Sequence, residues 1–167
     1  MILRFSDDTI KTNLISTIGI DYKSNIIEYQ GKNIKLQMWN CTVEKLGMIS
    51  TSYHRGAHGI LLVYDPNNRE SFKNIQKWLR NIDDHASDDV VRMLIGNKTN
   101  NSCETSNKTC PRDATCTNIY CYPTIITDRV TPEQAEKFAN EHGMKFIETF
   151  ADENNNIDLA MMMVSIL

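Results

Sequence analysis

Residues 53–65 read YHRGAHGILLVYD, and the uninterrupted apolar run at positions 60–63 decides the class of fold. A second short apolar run, Met93-Leu94-Ile95, follows later in the chain, and residues 145–149 are a further strand candidate. Short apolar runs of this kind are typical of strands buried on both faces of a largely parallel sheet. We therefore predict a parallel sheet that contains these segments.

Helical patterns lie between the strand candidates. Residues 70–85 place four apolar side chains on one helical face, namely Phe72, Ile75, Leu79 and Ile82. The segment TPEQ, residues 131–134, combines an N-cap threonine, a proline at the first helical position and a capping-box glutamine, and Gly143 marks the end of that helix. Because strands and helices alternate, the sequence predicts an α/β fold.

Two further segments do not belong to this alternation. Residues 18–39 predict an antiparallel hairpin, because two runs rich in β-branched and aromatic residues flank the turn Gln30-Gly31-Lys32. Residues 100–129 are rich in Asn, Thr, Ser and Cys and lack hydrophobic periodicity. Since this segment is too long for an ordinary connection, we predict a disordered surface insertion at 100–129.

The composition narrows the class of protein. The 167 residues fit a single domain, 1–167, and the net charge of −3 comes with no basic stripe, so we expect no nucleic-acid partner. We also expect a cytoplasmic chain, because no stretch approaches a membrane span and the N-terminal segment carries charges where a secretion signal is apolar. Four clustered cysteines lack the close pair that zinc sites usually contain.

Several segments, read in order, resemble Rab/Ypt-type small GTPases of the Ras superfamily. They are STIGIDYK at 16–23, IKLQMW at 34–39, the segment at 53–65, ESFKNIQKWL at 70–79 and IGNK at 95–98. The resemblance implies a Ras-like, P-loop NTPase-type fold with a mostly parallel sheet flanked by helices. It also implies GTP or GDP with Mg²⁺ as ligands and a role in regulating intracellular vesicle trafficking.

The phosphate-binding P-loop of this family, GxxxxGKS/T, has no counterpart in the chain, because none of the seven glycines starts such a motif. Residues 3–9, LRFSDDT, resemble the segment that follows the P-loop in relatives. We therefore expect the first strand and the P-loop to be missing, and that strand would lie between the strands near Leu36 and Leu62. Losing several charge-assisted hydrogen bonds predicts weak nucleotide binding.

Remnants of the nucleotide motifs remain, by resemblance. Thr17 matches the switch I threonine that reaches Mg²⁺, although it could also be an exposed loop hydroxyl. The base motif NKxD reads Asn97-Lys98-Thr99-Asn100, where Asn100 replaces a carboxylate with a carboxamide that faces guanine donors with a donor. The SAK loop reads Phe150-Ala151-Asp152, so only Ala151 is retained.

The resemblance predicts no catalytic residue. The switch II motif DTAGQ reads Asn40-Cys41-Thr42-Val43 before Glu44, so the Asp that orients Mg²⁺ is a neutral Asn40 and the Gln that orients the attacking water is missing. Relatives end in a tail with prenylated cysteines, whereas this chain stops at Leu167. We therefore expect no stable membrane anchor in this chain.

The effector-facing segment is better preserved. By resemblance, the residues that contact Rab effectors or regulators are Ile18, Gly19, Ile20, Asp21, Tyr22, Trp39 and Tyr53. The aromatic members of this set could equally be half-buried structural residues. The sequence thus predicts a degenerate pseudo-GTPase that acts through its switch-region contacts. Two alternatives stay open: a fragment of a slowly hydrolysing Rab whose P-loop lies upstream, or an inert gene remnant.

Overall fold

The computed structural model describes residues 1–8, 20–41, 56–87, 89–98 and 129–166. Apart from residue 129, the predicted insertion at 100–129 lies outside the described residues. The elements of the described part are α1 Ile2–Asp7, β1 Ile20–Tyr29, β2 Lys32–Cys41, β3 Gly59–Tyr64, α2 Arg69–His85, β4 Val91–Lys98, α3 Pro132–Glu141, β5 Lys145–Phe150 and α4 Ile157–Ile166.

The predicted parallel sheet is confirmed in strands β3, β4 and β5, which lie in that order. Leu62 pairs with Leu94, and Leu94 pairs with Phe146, so the two ladders continue across the sheet in parallel register. Strands buried on both faces need apolar residues at successive positions, which explains the run Met93-Leu94-Ile95. The arrangement is an α/β fold, as the resemblance to Ras-like proteins implies.

Helices cover both faces of this sheet. On one face, α2 and α3 pack against β3 and β4 in a cluster that contains Leu62, Ile75, Leu94 and Ala139. On the other face, Ala160 of α4 packs with Met93 and Ile95 in a smaller cluster. Because β-strand side chains alternate between faces, Leu94 and its neighbour Ile95 serve different clusters.

Local sequence signals start the helices. The Thr131 hydroxyl oxygen accepts a hydrogen bond from the Gln134 backbone N–H at 3.3 Å, and the Gln134 side chain accepts one from the Thr131 backbone N–H at 3.2 Å. The capping box predicted from the sequence is therefore confirmed. In α2, Asn68 takes the N-cap position, and its side-chain oxygen accepts from the Ser71 N–H at 3.2 Å.

The predicted hairpin is also confirmed, as strands β1 and β2 joined by the turn at Gln30 and Gly31. Both turn residues have positive φ, 51° and 73°, which is the geometry that matches the twist of two-residue hairpins. Along each strand, exposed and half-buried side chains alternate. One hairpin face therefore points to solvent and the other faces the rest of the chain.

Within the described residues, the hairpin and the parallel sheet are separate sheets, because no ladder of hydrogen bonds joins β2 to β3. Helix α1 lies against β1 and also contacts α4. The sequence predicts that the family's first strand, which would lie between β2 and β3, is missing, and this stays a prediction. No helix in the described ranges is long and apolar enough to cross a bilayer.

Candidate functional site

The carboxyl ends of β3, β4 and β5 meet at one edge of the parallel sheet. Asp65 follows β3, Asn97 is the second-last residue of β4, and Ala151 follows β5. In open α/β sheets, ligands usually bind at this edge. The three described remnants of the base motifs, Asn97, Lys98 and Ala151, are thus brought to the same edge by the parallel register.

Asn97 is held by a side chain of the neighbouring strand. The Thr149 hydroxyl donates a hydrogen bond to the Asn97 Oδ1 at 3.1 Å, and Thr149 is only 1% exposed. Asn97 and Thr149 are also register partners in the β4–β5 ladder. Because the Asn97 oxygen accepts from a buried hydroxyl, its carboxamide is fixed in one orientation at the sheet edge. The amide can then contribute directional hydrogen bonds to a bound heteroaromatic ring.

The loop after β5 closes tightly and carries Ala151. The backbone N–H groups of Phe150 and Asn155 each donate to the carbonyl oxygen of the other residue at 3.0 Å. The Asn156 side chain adds a hydrogen bond from its Nδ2 to the Glu148 carbonyl oxygen at 2.9 Å. Asn154 and Asn156 adopt positive φ, which Asn tolerates better than most residues. Asp152 is therefore held within this closed loop.

Tyr64 lies directly behind the same edge. Its hydroxyl approaches Gly96 so closely that a side chain at that position would contact the phenol oxygen. Burial, together with the nearby Glu148, raises the pKa of Tyr64 well above its usual range, and Arg129 partly opposes the shift. Tyr64 is consequently a neutral phenol that packs edge-on against Phe72. The sequence motif gave no sign of this contact, because it depends on three separate elements.

Several predicted site residues lie outside the described residues: Thr17, Ile18, Gly19, Tyr53 and Asn100. Lys98 ends β4, and Ile20 begins β1. Among the described residues, no three His, Cys, Asp or Glu side chains gather into a group that could hold a metal ion.

The hairpin presents an aromatic pair to solvent. Tyr22 and Trp39 are register partners, their ring centroids lie 4.6 Å apart, and they are 40% and 45% exposed. The Gln37 side chain donates to the Tyr22 hydroxyl at 3.2 Å on the same face. Tilted ring pairs at this distance add stability beyond their buried area. The pair therefore forms a fixed apolar surface, which we call the aromatic face.

Asp21 and Asn40 belong to the opposite side of the hairpin. They pair with each other in the register, and strand alternation turns the side chain of Asp21 away from Tyr22. Cys41 follows at the end of β2, where burial raises the pKa of its thiol. Of the predicted effector-facing residues whose side chains are described, Tyr22 and Trp39 lie on the solvent side.

Comparisons with known proteins identify the family. The Ras family profile matches residues 1–166 of the chain. The chain is 47% identical to Ras-related protein Rab-10 of Caenorhabditis elegans over 161 residues, which are 96% of the chain and 69% of that relative. It is 45% identical to Rab-10 of Diplobatis ommata over 163 residues, 97% of the chain and 70% of the relative. It is 43% identical to human Rab-8B over 161 residues, 96% of the chain and 67% of the relative. The chain therefore belongs to the Ras family, and within it to the Rab-type small GTPases.

Proposed function

We propose that this Rab-type chain binds nucleotide weakly, hydrolyses none, and acts through protein contacts made by its aromatic face. The observation that carries the proposal is the contrast between two surfaces. The Tyr22–Trp39 pair is retained and exposed at a ring distance of 4.6 Å. In the nucleotide motifs, by contrast, Asn40 and Asn100 stand where relatives carry carboxylates, Asp152 stands where they carry a lysine, and the water-orienting glutamine is missing.

Electrostatics at the base edge support weak binding. Asp152 stands where relatives carry a lysine, so an anion replaces a cation in the loop that follows β5. Asn100 offers both a donor and an acceptor where a carboxylate would accept two N–H groups of guanine. A mismatched buried hydrogen-bonding group costs about 1–3 kcal/mol, which is roughly a five- to 150-fold loss of affinity.

Isothermal titration of the purified chain with GTP and with GDP, each with Mg²⁺, tests this proposal. We expect no saturable heat at nucleotide concentrations up to about 1 mM, the weak end of measurable affinity. A Rab relative that carries GxxxxGKS/T should be titrated in parallel as the positive control. A dissociation constant in the micromolar range or tighter for either nucleotide would refute the proposal.

The proposed partners are Rab effectors or regulators that recognise the switch and interswitch surface. Exposed aromatic residues supply much of the binding energy in protein interfaces. The corresponding location is the cytosol, facing secretory-pathway membranes, as in the family. We also propose that residues 1–167 form one domain with an insertion at 100–129. Limited proteolysis tests this, since we expect early cleavage within 100–129 only.

A specific contact favours a second candidate, a nucleotide-binding Rab whose P-loop is encoded upstream. Thr149 still holds the Asn97 carboxamide at the sheet edge by a hydrogen bond of 3.1 Å. This contact keeps the retained base-motif amide in place at the sheet edge where ligands bind in such folds. The upstream genomic sequence tests this candidate, because it requires an in-frame strand followed by GxxxxGKS/T. Even then, Asn40 and the missing glutamine predict slow hydrolysis.

A further inference from the structure

The hairpin contributes nothing to the buried apolar core of the described residues. Every buried apolar side chain in the described ranges belongs to β3, β4, the helices or the connections of the parallel sheet. The inner face of the hairpin is half-buried, and one residue on its outer face, Ile26, is 64% exposed. Since buried apolar area is the main source of stability, the hairpin is the weaker part of the molecule.

Helix α1 connects this weaker part to the sheet. At its C-terminal end, the Asp7 carboxylate accepts a hydrogen bond from the Lys23 ammonium at 2.7 Å. Two residues earlier, the Phe5 carbonyl oxygen accepts from the Asn25 side chain at 3.0 Å. At the other end, Met1 packs against the cluster formed by Met93 and Ile95. The helix and its N-cap residue thus contact both sheets within seven residues, from Met1 to Asp7.

The contacts between α1 and the hairpin are weaker than the contacts that hold the parallel sheet together. The Lys23–Asp7 ion pair is open to water, and such pairs hold weakly. The Asn25 hydrogen bond replaces one that water would otherwise make, so its net contribution is modest. The parallel sheet is held instead by continuous ladders and by buried side chains on both faces. Local opening follows the weaker contacts first.

We propose that the hairpin, Ile20–Cys41, opens as a separate unit while the parallel sheet stays folded, and that α1 is the strap that controls this opening. The strap sets how often the inner face of the hairpin is held against the rest of the molecule, while the aromatic face on the other side points to solvent. A partner that binds the closed hairpin stabilises it and is in turn favoured by the strap contacts. The proposed opening of the hairpin does not depend on whether nucleotide binds.

Hydrogen exchange of the full chain, followed by mass spectrometry, tests the proposal. We expect amides of the hairpin to exchange faster than those of β4 in the unmodified protein. Asp7→Asn removes the charge of the ion pair, and Asn25→Ala removes the donor to Phe5. Each should accelerate exchange of the hairpin amides by about two- to tenfold and leave β4 unchanged.

Matched controls are available next to both sites. Asp8→Asn makes the same chemical change on α1, but Asp8 pairs with Arg4 rather than with Lys23. Ser24→Ala truncates the neighbouring residue of β1, whose side chain lies on the exposed face. Both controls should leave hairpin exchange unchanged within a factor of about two.

A second measurement uses the two tryptophans, which lie one in each part. In Trp78→Phe the fluorescence reports the hairpin through Trp39, and in Trp39→Phe it reports the sheet and α2 through Trp78. The urea transition of the first variant should precede that of the second, and adding Asp7→Asn should move only the first. Coincident transitions, uniform acceleration across both sheets, no response to the strap variants, or an unprotected hairpin in the unmodified protein would each overturn the proposal.

Discussion

The hairpin and the parallel sheet of this molecule are both β-structure, yet they differ in how far their side chains are buried and in how their strands are connected. Leu94 in the sheet is 0% exposed, whereas Ile26 in the hairpin is 64% exposed. The sheet joins strands distant in sequence and hides apolar runs between two layers of helices. The hairpin joins neighbouring strands through a two-residue turn and keeps its aromatic face open. Stability therefore resides in the sheet, and the proposed recognition surface lies on the hairpin.

The largest effect expected from this comparison comes from truncating its most buried member. Leu94→Ala should lower the free energy of unfolding by about 2–5 kcal/mol, because it leaves a cavity under both helices. The same truncation at Ile26 should change stability by less than about 0.5 kcal/mol, since that side chain is already solvated. Urea unfolding followed by circular dichroism, which reports both sheets, measures both variants. Equal losses would contradict the division between the two regions.

The next effect concerns how closely α4 approaches β3. A methyl group at Gly59 would fall on the side chain of Val164, so Gly59→Ala should cost about 1–3 kcal/mol through overpacking. Gly56 has open space around it, and Gly56→Ala is the matched control. Thermal unfolding of the two variants compares them. A neutral Gly59→Ala would show that the packing of α4 on β3 is loose.

A smaller effect is expected at the start of α3. Thr131→Ala removes the hydroxyl that accepts from the Gln134 N–H, and N-cap losses of this kind cost about 1 kcal/mol. Glu136→Ala, in the exposed middle of the same helix, is the control and should stay within about 0.5 kcal/mol. Chemical unfolding separates the two. If Thr131→Ala matched its control, the capping box would have no energetic role.

The smallest expected effect belongs to the aromatic face. A double-mutant cycle of Tyr22→Ala and Trp39→Ala should give a coupling energy of about 0.2–1 kcal/mol, the range for cross-strand pairs. Unfolding followed by circular dichroism provides the four free energies. A coupling energy well above this range would contradict the contrast between hairpin and sheet, because it would show that the aromatic face is a stabilising cluster rather than an open surface.

Local patterns in the sequence predicted the elements well. The TPEQ segment specified its own capping box, and the apolar runs near Leu62 and Leu94 specified strands buried on both faces. These signals act within a few residues, so a single sequence carries them completely. The hairpin turn at Gly31 is another local signal, because a positive φ favours glycine.

Long-range contacts were not predictable in the same way. The hydrogen bond from Thr149 to Asn97 joins residues 52 positions apart, and no local pattern encodes it. Helix α1 carried no periodic signal either, since six residues are too few to show one. The face on which Asp21 lies also depends on the strand register, which only the paired β2 fixes. The family resemblance identified the candidate site residues. How their side chains are held and oriented depends on long-range contacts that the sequence does not show.

The most direct test of the central claim is a residue-resolved titration. Addition of GTP with Mg²⁺ to about 1 mM, the weak end of measurable affinity, should be followed by two-dimensional NMR of the Asn97 side-chain amide and the Ala151 backbone amide. The account predicts that neither signal shifts, while both tryptophan indoles stay in place. Saturable shifts at Asn97 and Ala151 in the micromolar range would contradict it, because they would show a working nucleotide site at the sheet edge.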